Sequence, residues 1–317
     1  MCTAVTYKGM DGYFGRNLDV VRGYGERVVI APRNILLPMR RTRPLRSHYA
    51  MIGMAAVKEG YPLFFEAVNE KGIGMAGLNF PQNAHWFGFV EGKENVAPFE
   101  LIPWILGQCA DLAQVRALFA DTNLIDFSFD RHLPLTPLHW MISDGRESLV
   151  LESVADGLKL YENPSGVLTN NPPFPYHCSN LCNYMGLHNG ALVSRFHSAL
   201  PLENYSFGMG ALGLPGDFSS ASRFVRAFFV KENSHSGEGE RSCVHQVFHI
   251  LASVAMPRGC VWTEDGFEYT RYACCCNLNR CIYYYRTYDN FKIQSVRLFD
   301  ADLEGKNLYE YSVTGLG

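Results

Sequence analysis

Apolar residues fall along this chain in short runs, and most runs are separated by turn-forming pairs rather than by long polar stretches. Residues 2–7 (CTAVTY) and 13–19 (YFGRNLD) read as two strands joined across KGMDG, where Asp11-Gly12 signals a tight turn. Residues 27–31, 50–57 and 73–79 read as further strands. Residues 98–119 carry apolar positions at helical spacing, as one or two helices interrupted near Pro103. Strands resume at 138–143, 148–154 and 157–161, with Asp144-Gly145 and Asp156-Gly157 as turns. Residues 220–231 and 242–255 read as helices, and 231–241 (KENSHSGEGER) as an exposed loop. The last third is strand-like at 267–276, 281–288 and 292–299. Hairpin turns outnumber crossover helices, which predicts an α+β fold with largely antiparallel sheets, two of them stacked and covered by helices. No Pro/Gly/Ser-rich linker divides the chain, so a single domain over 1–317 is expected.

Composition narrows this picture. With 317 residues, 47% hydrophobic and 19% charged, the chain can bury a large core and is not disordered. A net charge of -3 excludes a general polyanion binder, so no nucleic-acid partner is expected. No stretch approaches the ~18 apolar residues of a membrane span. The first residues lack the basic and apolar regions of a secretion signal, and a cytoplasmic protein is expected. Its 10 cysteines then read mostly as free thiols. No metal is expected. Cys274, Cys275 and Cys276 are consecutive on a strand, where side chains alternate between faces and do not converge on one ion with Cys281. Cys178 and Cys182, beside His177, lack a second pair of ligands. Residues 208–213 (GMGALG) match a dinucleotide fingerprint in form only, because Leu214-Pro215-Gly216 separates them from the next helix. His139 lies in an apolar strand and reads as a core residue.

One cysteine differs from the others by its position. Met1 precedes Cys2, a small residue, which permits removal of the methionine and leaves a thiol and a free α-amine on one residue. Reference pKa values of about 7.7–8.0 for the amine and about 8.5 for the thiol match the two for proton exchange near neutrality. If Tyr7 pairs with Tyr13 across the turn, Cys2 lies opposite Leu18, and Arg16 is its diagonal neighbour on the same face. A guanidinium there favours the thiolate. A register shifted by one instead puts Asp19 opposite Cys2, where a carboxylate can orient the amine. Either register delivers an arginine and an aspartate beside Cys2.

The segments MCTAVTY, YFGRNLD, GMAGLNFP, PLHWMISD, GVLTNNPPF, LGLPGDFSSASRFVR, VFHILASVAM and IYYYRTYDN together resemble the choloylglycine hydrolases. These are the bile salt hydrolases and penicillin V acylases of the N-terminal nucleophile superfamily, and the similarity runs in order from residue 1 to about residue 300. The resemblance implies a four-layer αββα sandwich, loss of Met1 and hydrolysis of an amide. It puts the nucleophile on Cys2 and the accompanying catalytic residues on Arg16, Asp19, Asn79 of GLNFP, Asn170 of LTNNP and Arg223 of ASRF. Asn170 and Asn79 have the chemistry to donate hydrogen bonds to an oxyanion. Asn79, where the acylases tend to carry Tyr, favours conjugated bile acids as substrate. Leu18, Tyr24, Phe65 and the 127–138 loop are expected to line the pocket. The resemblance implies no metal or organic cofactor, and a homotetramer with the segment before Gly208 reaching a neighbouring subunit. A penicillin V acylase or other N-acyl amidase, and a steroid-binding protein without catalysis, are the alternatives.

Overall fold

The computed structural model describes residues 1–316, so Gly317, the last residue of the expected domain, lies outside the described residues. The first strands are β1 (Cys2–Lys8), β2 (Gly12–Val20), β3 (Glu26–Ala31), β4 (Met51–Lys58), β5 (Tyr61–Asn69), β6 (Gly74–Asn79) and β7 (Glu94–Val96). Helices α1 (Leu101–Leu106) and α2 (Leu112–Asp121) follow, then β8 (Thr122–Leu124), β9 (Leu138–Ser143), β10 (Ser148–Val154), β11 (Gly157–Glu162) and β12 (Val167–Leu168). Three helices come next, α3 (Phe174–Asn180), α4 (Ser220–Asn233) and α5 (Glu240–Ala252). The chain ends in β13 (Val261–Thr263), β14 (Gly266–Asn277), β15 (Ile282–Thr287), β16 (Gln294–Arg297) and β17 (Tyr309–Ser312).

Two antiparallel sheets carry the fold. One has the order β12-β1-β2-β14-β15-β16, with β13 paired to β14; the other has the order β11-β10-β9-β6-β5-β4-β3-β17. Both are buried on both faces, and alternation along β3 illustrates why. Val28 and Ile30 enter the core between the sheets, whereas Val29 and Ala31 enter a second core beneath α1 and α2. Phe224 and Ala227 of α4 and Val247, Phe248 and Leu251 of α5 cover the outer face of the first sheet. The layers are therefore helix, sheet, sheet, helix, the α+β architecture expected from the sequence.

The β1–β2 hairpin has the register that brings Tyr7 opposite Tyr13 and Cys2 opposite Leu18. Several expectations are corrected. Pro103 lies inside α1, in the first turn, where its missing N–H would have had no intrahelical partner; the break comes after Leu106. The 231–241 stretch is a loop only between Asn233 and Glu240, because α4 and α5 extend into it from either side. Strands β5, β7, β8, β12, β13 and β17 and helix α3 were not expected. The 208–213 segment forms a turn at Met209–Ala211 and does not run into a helix; α4 begins only at Ser220.

Candidate active site

The hairpin turn at Asp11-Gly12 sets the β1–β2 register, and that register sends Cys2, Arg16 and Leu18 into the space between the sheets. Arg16 is fully buried and reaches back so that Nη2 lies 2.6 Å from Cys2 Sγ. Its Nη1 is occupied by the second sheet, donating to the Phe65 carbonyl at 3.2 Å, the Gly77 carbonyl at 3.0 Å and Glu66 Oε2 at 3.3 Å, while Nε donates to the Asn17 carbonyl at 3.3 Å. Burial opposes the charge of Arg16, but the surrounding thiol, phenol and carboxyl groups push its pKa above the ordinary guanidinium value.

The opposite face of β1 and β2 meets α4. Asp217 accepts from the Ser219 N–H at 2.9 Å and from the Ser222 hydroxyl at 2.5 Å, and Ser219 caps the helix. This start aims Arg223 back at β1, where Nη1 donates to the Cys2 carbonyl and to Thr3 Oγ1, each at 2.6 Å. Arg223 Nη2 donates to Asn170 Oδ1 at 2.6 Å. The same Oδ1 accepts from the Cys2 N–H at 2.9 Å. Asn170 Nδ2 donates to the Asn79 carbonyl at 2.7 Å and retains one further hydrogen. Asn170 therefore joins Cys2, Arg223 and the end of β6.

Asn170 is itself clamped. Its N–H donates to Ser220 Oγ at 2.8 Å, and its carbonyl accepts from His177 Nε2 at 2.8 Å. Burial holds His177 down at about 4, so the ring is a neutral donor, and it stacks on Phe224 at 4.7 Å. One residue earlier, the Thr169 carbonyl faces His139 Nε2 at 3.0 Å, while His139 Nδ1 faces Glu152 Oε1 at 3.1 Å. Asp19 is fully buried, and burial raises its carboxyl pKa against the pull of Arg223 and of the amino terminus. Its Oδ1 accepts from Thr270 Oγ1 at 2.6 Å, and Oδ2 has no hydrogen-bond partner among the described residues. Met1 continues β1 by one residue: its amine donates to the Asp19 carbonyl at 2.8 Å and pairs with Glu268, and its carbonyl accepts from the Asp19 N–H at 3.1 Å. Burial lowers the pKa of that amine.

All six residues expected at the site thus meet around Cys2: Arg16 at the sulfur, Arg223 and Asn170 at its backbone, Asn79 behind Asn170, and Asp19 beside the terminus. The expected pocket residues divide. Tyr24 and Phe65 pack together with ring centroids 5.9 Å apart, and the Phe65 carbonyl sits on Arg16. Leu18 is only 4% exposed and belongs to the inter-sheet core. In the 127–138 loop, Phe129 is buried in the core beneath α1, edge-on to Phe99 and tilted against Tyr61. His139 is fully buried and bonded at both nitrogens, as a core residue. Sequence reasoning missed Glu66, Thr3, Thr270 and His177, each of which holds one of the six. Among the described residues, no group of three or more His, Cys, Asp or Glu side chains could hold a metal ion, and no helix is long and apolar enough to cross a membrane.

Comparison with known proteins bears on the family and fold of the whole chain. Residues 2–311 match the family model of linear amide C–N hydrolases, choloylglycine hydrolase family. The chain is 49% identical over 312 residues to a bile salt hydrolase/transferase of Lactiplantibacillus plantarum, covering 98% of this chain and 96% of that protein. It superposes on the crystal structure of a mutant conjugated bile acid hydrolase from Clostridium perfringens with a TM-score of 0.92, at 32% identity over 99% of this chain and 98% of that one. Penicillin V acylase from Agrobacterium tumefaciens shares the fold, with a TM-score of 0.78 at 18% identity over 98% of this chain and 91% of that one.

Proposed function

The chain belongs to the choloylglycine hydrolase family of linear amide C–N hydrolases, and from that premise we propose that it cleaves the amide between a bile acid and glycine or taurine. In this reading Cys2 is the nucleophile and Met1 is removed, so that the nitrogen now donating to Asn170 Oδ1 becomes a free α-amine. The observation that carries the reading is the meeting of two contacts on one residue: the Cys2 sulfur on Arg16 at 2.6 Å and the Cys2 nitrogen on Asn170 at 2.9 Å.

The amine takes the thiol proton, and the sulfur attacks the amide carbonyl. The guanidinium of Arg16 stabilises the thiolate. Negative charge that develops on the carbonyl oxygen is met by the spare hydrogen on Asn170 Nδ2 and by Asn79. The protonated amine then gives its proton to the departing glycine or taurine. Water, deprotonated by the same amine, resolves the thioester. Arg223 holds the terminus in place through the Cys2 carbonyl and Asn170, and Asp19, whose charge favours the Met1 ammonium in this structure, acts in the same way on the Cys2 amine once Met1 is removed.

The substrate is a rigid apolar body with a charged tail, which calls for apolar walls beside the nucleophile. Tyr24 and Phe65, packed together, supply one. The chain functions as one domain, as a homotetramer, in the cytoplasm. The segment 185–212 supports the assembly, since Met185, Val193, Phe196, Tyr205 and Phe207 are all exposed and apolar surface of this extent favours a partner. The absence of pairing among the ten cysteines supports a reducing compartment. Incubation with taurocholate, glycocholate and penicillin V, with released amine as the readout, tests the reading. Release from both bile salts is expected. Release from penicillin V alone would make it an acylase, and binding of bile salt without release would make it a carrier.

A further inference from the structure

Beneath Arg16 lies a charged group that the reaction scheme above does not use. Glu66 is fully buried at the centre of the sandwich, on β5. Its position there depends on a local irregularity. Phe64 and Ala67 face the core beneath α1, and Val68 faces the core between the sheets. The β4–β5 ladder pairs Met54 with Glu66 but Ala55 with Phe64, so Phe65 is an extra residue bulged out of the register. Without the bulge, Glu66 would share the face of Phe64. With it, Glu66 turns into the space between the sheets, a re-aiming that bulges commonly perform. The strand beside it makes room: a Cβ on Gly53 would lie 1.9 Å from the Glu66 carbonyl oxygen.

Three donors converge on the carboxyl. Tyr283 OH reaches Oε1 at 2.5 Å, Tyr272 OH reaches Oε2 at 2.8 Å, and Arg16 Nη1 reaches Oε2 at 3.3 Å. The titratable and charged groups facing Glu66 are Arg16 from β2, Tyr272, Cys274 and Cys276 from β14, and Tyr283 from β15. Only Arg16 is a cation. Burial raises the pKa of Glu66, and Arg16, Tyr283 and Tyr272 pull it back towards the carboxylate, the form that accepts at both oxygens. Tyr272 and Tyr283 fix the carboxylate, the carboxylate fixes Nη1, and the planar guanidinium then has its Nη2 left for Cys2 Sγ.

We propose that Glu66 is a positioning residue for the reaction: it orients Arg16 on the Cys2 sulfur and, by partly offsetting the guanidinium charge, sets how strongly that charge favours the thiolate. The inference deepens the proposed function and rests on Cys2 being the nucleophile. It touches neither substrate nor reacting atom, so its signature lies in turnover and pH dependence rather than in binding.

The variant Glu66→Gln keeps the size of the side chain and removes its charge. The guanidinium charge is then felt in full at the sulfur, so the thiolate persists to lower pH. The acid limb of the kcat/KM profile for glycocholate moves to lower pH by about one unit. Loss of orientation lowers kcat about tenfold while KM stays within about twofold. The isosteric Tyr283→Phe, which removes only a hydroxyl, weakens the hold on the carboxylate charge and shifts the acid limb the same way by less, so the proposal stays testable even if Glu66→Gln does not fold. A purely structural Glu66 would lower the thermal midpoint and leave kcat and the pH profile of the folded protein unchanged, and that result in both variants overturns the inference. Cys2→Ala is assayed alongside. If it retains turnover, the nucleophile reading fails; if it is inactive while both variants keep wild-type kcat and acid limb, only the role of Glu66 fails.

Discussion

Under the proposed mechanism, retention of Met1 is expected to separate folding from catalysis. The methionine does not hang free: it adds one residue to β1 and exchanges two backbone hydrogen bonds with Asp19, at 2.8 and 3.1 Å. Each such bond contributes about 0.5–1.5 kcal/mol net, so a Met1-retaining variant is about 1–3 kcal/mol more stable through them than the chain beginning at Cys2. Part of that gain is offset because burial disfavours the charged amine of Met1. The same variant has an amide where the mechanism needs a base. The Cys2 nitrogen still donates to Asn170 Oδ1, but it has no basicity, and loss of a general base typically removes about 10²–10⁴ in rate. Stability and activity therefore move in opposite directions. The assay pairs thermal unfolding with glycocholate hydrolysis for the retained form and for the same protein after proteolytic exposure of Cys2. The expected outcome is an equal or higher unfolding midpoint with activity lost, and activity regained on exposure of Cys2. Hydrolysis at the normal rate by the Met1-retaining protein refutes the mechanism. Unfolding of that protein would refute the strand extension instead.

Cys2→Ala is expected to abolish hydrolysis while costing only about 1–2 kcal/mol of stability, read from urea unfolding, since it removes one small side chain and one contact to Arg16. Asn79→Tyr keeps the backbone carbonyl that holds Asn170 Nδ2, so it tests the side chain alone; it should lower bile-salt turnover by about 10²–10³ and penicillin V turnover by less. An unchanged ratio of the two rates would show that position 79 does not set selectivity. His177 predicts an acid limit to stability. Its folded pKa of about 4 lies below the ordinary 6.5, so the folded state resists taking the proton. The contribution is complete above about pH 6.5 and is lost as pH falls towards 4, a change of ~3 kcal/mol. His177→Gln, which keeps a donor for the Asn170 carbonyl, should flatten the fall in urea midpoint over that window, and an equally steep fall would assign the acid sensitivity to other groups.

The parts of the site that could be read from the sequence are those that a local rule fixes. A tight turn at Asp11-Gly12 marks the hairpin, and counting outward from it in either of two registers brings an arginine and an aspartate beside Cys2; the observed pairing of Cys2 with Leu18 then puts Arg16 on the thiol face. Asn79, Asn170 and Arg223 have no such rule. They come from the ends of β6 and β12 and from α4, and only the resemblance of whole segments linked them to Cys2. Glu66 was invisible for a more specific reason. The bulge at Phe65 breaks the alternation of YPLFFEAVN, so periodicity marks neither a strand there nor the burial of its one carboxylate. Its partners Tyr272 and Tyr283 lie about two hundred residues away in sequence. The bulge also hid β5 itself. Strands β12 and β17 are too short for periodicity to register. The 231–241 stretch misled through composition: its charged and Gly-rich residues suit a loop, but Lys231 sits in the last turn of α4, where a cation suits the helix dipole.

Four fully buried charged side chains surround Cys2, and strand alternation sorts them. Residues 2, 16 and 18 face the second sheet, so the thiol meets Arg16 and, behind it, Glu66. Residues 3, 17 and 19 face the helices, so Thr3 meets Arg223, and Asn17 donates to the Leu251 carbonyl of α5. Asp19 is the strongest electrostatic counterweight to the burial of Arg223. Each guanidinium thus has its own carboxylate, whose attraction offsets part of the desolvation cost that burial imposes on both. The consequence is chemical. The sulfur of Cys2 is addressed by one charge pair and its nitrogen by the other, through opposite faces of a single strand. A residue that must serve as both nucleophile and base needs its two groups tuned separately, and a side chain and a backbone nitrogen at the start of a doubly covered strand allow that. An internal cysteine has no free amine to tune, which is why this arrangement favours Cys2 over the nine other thiols in the chain.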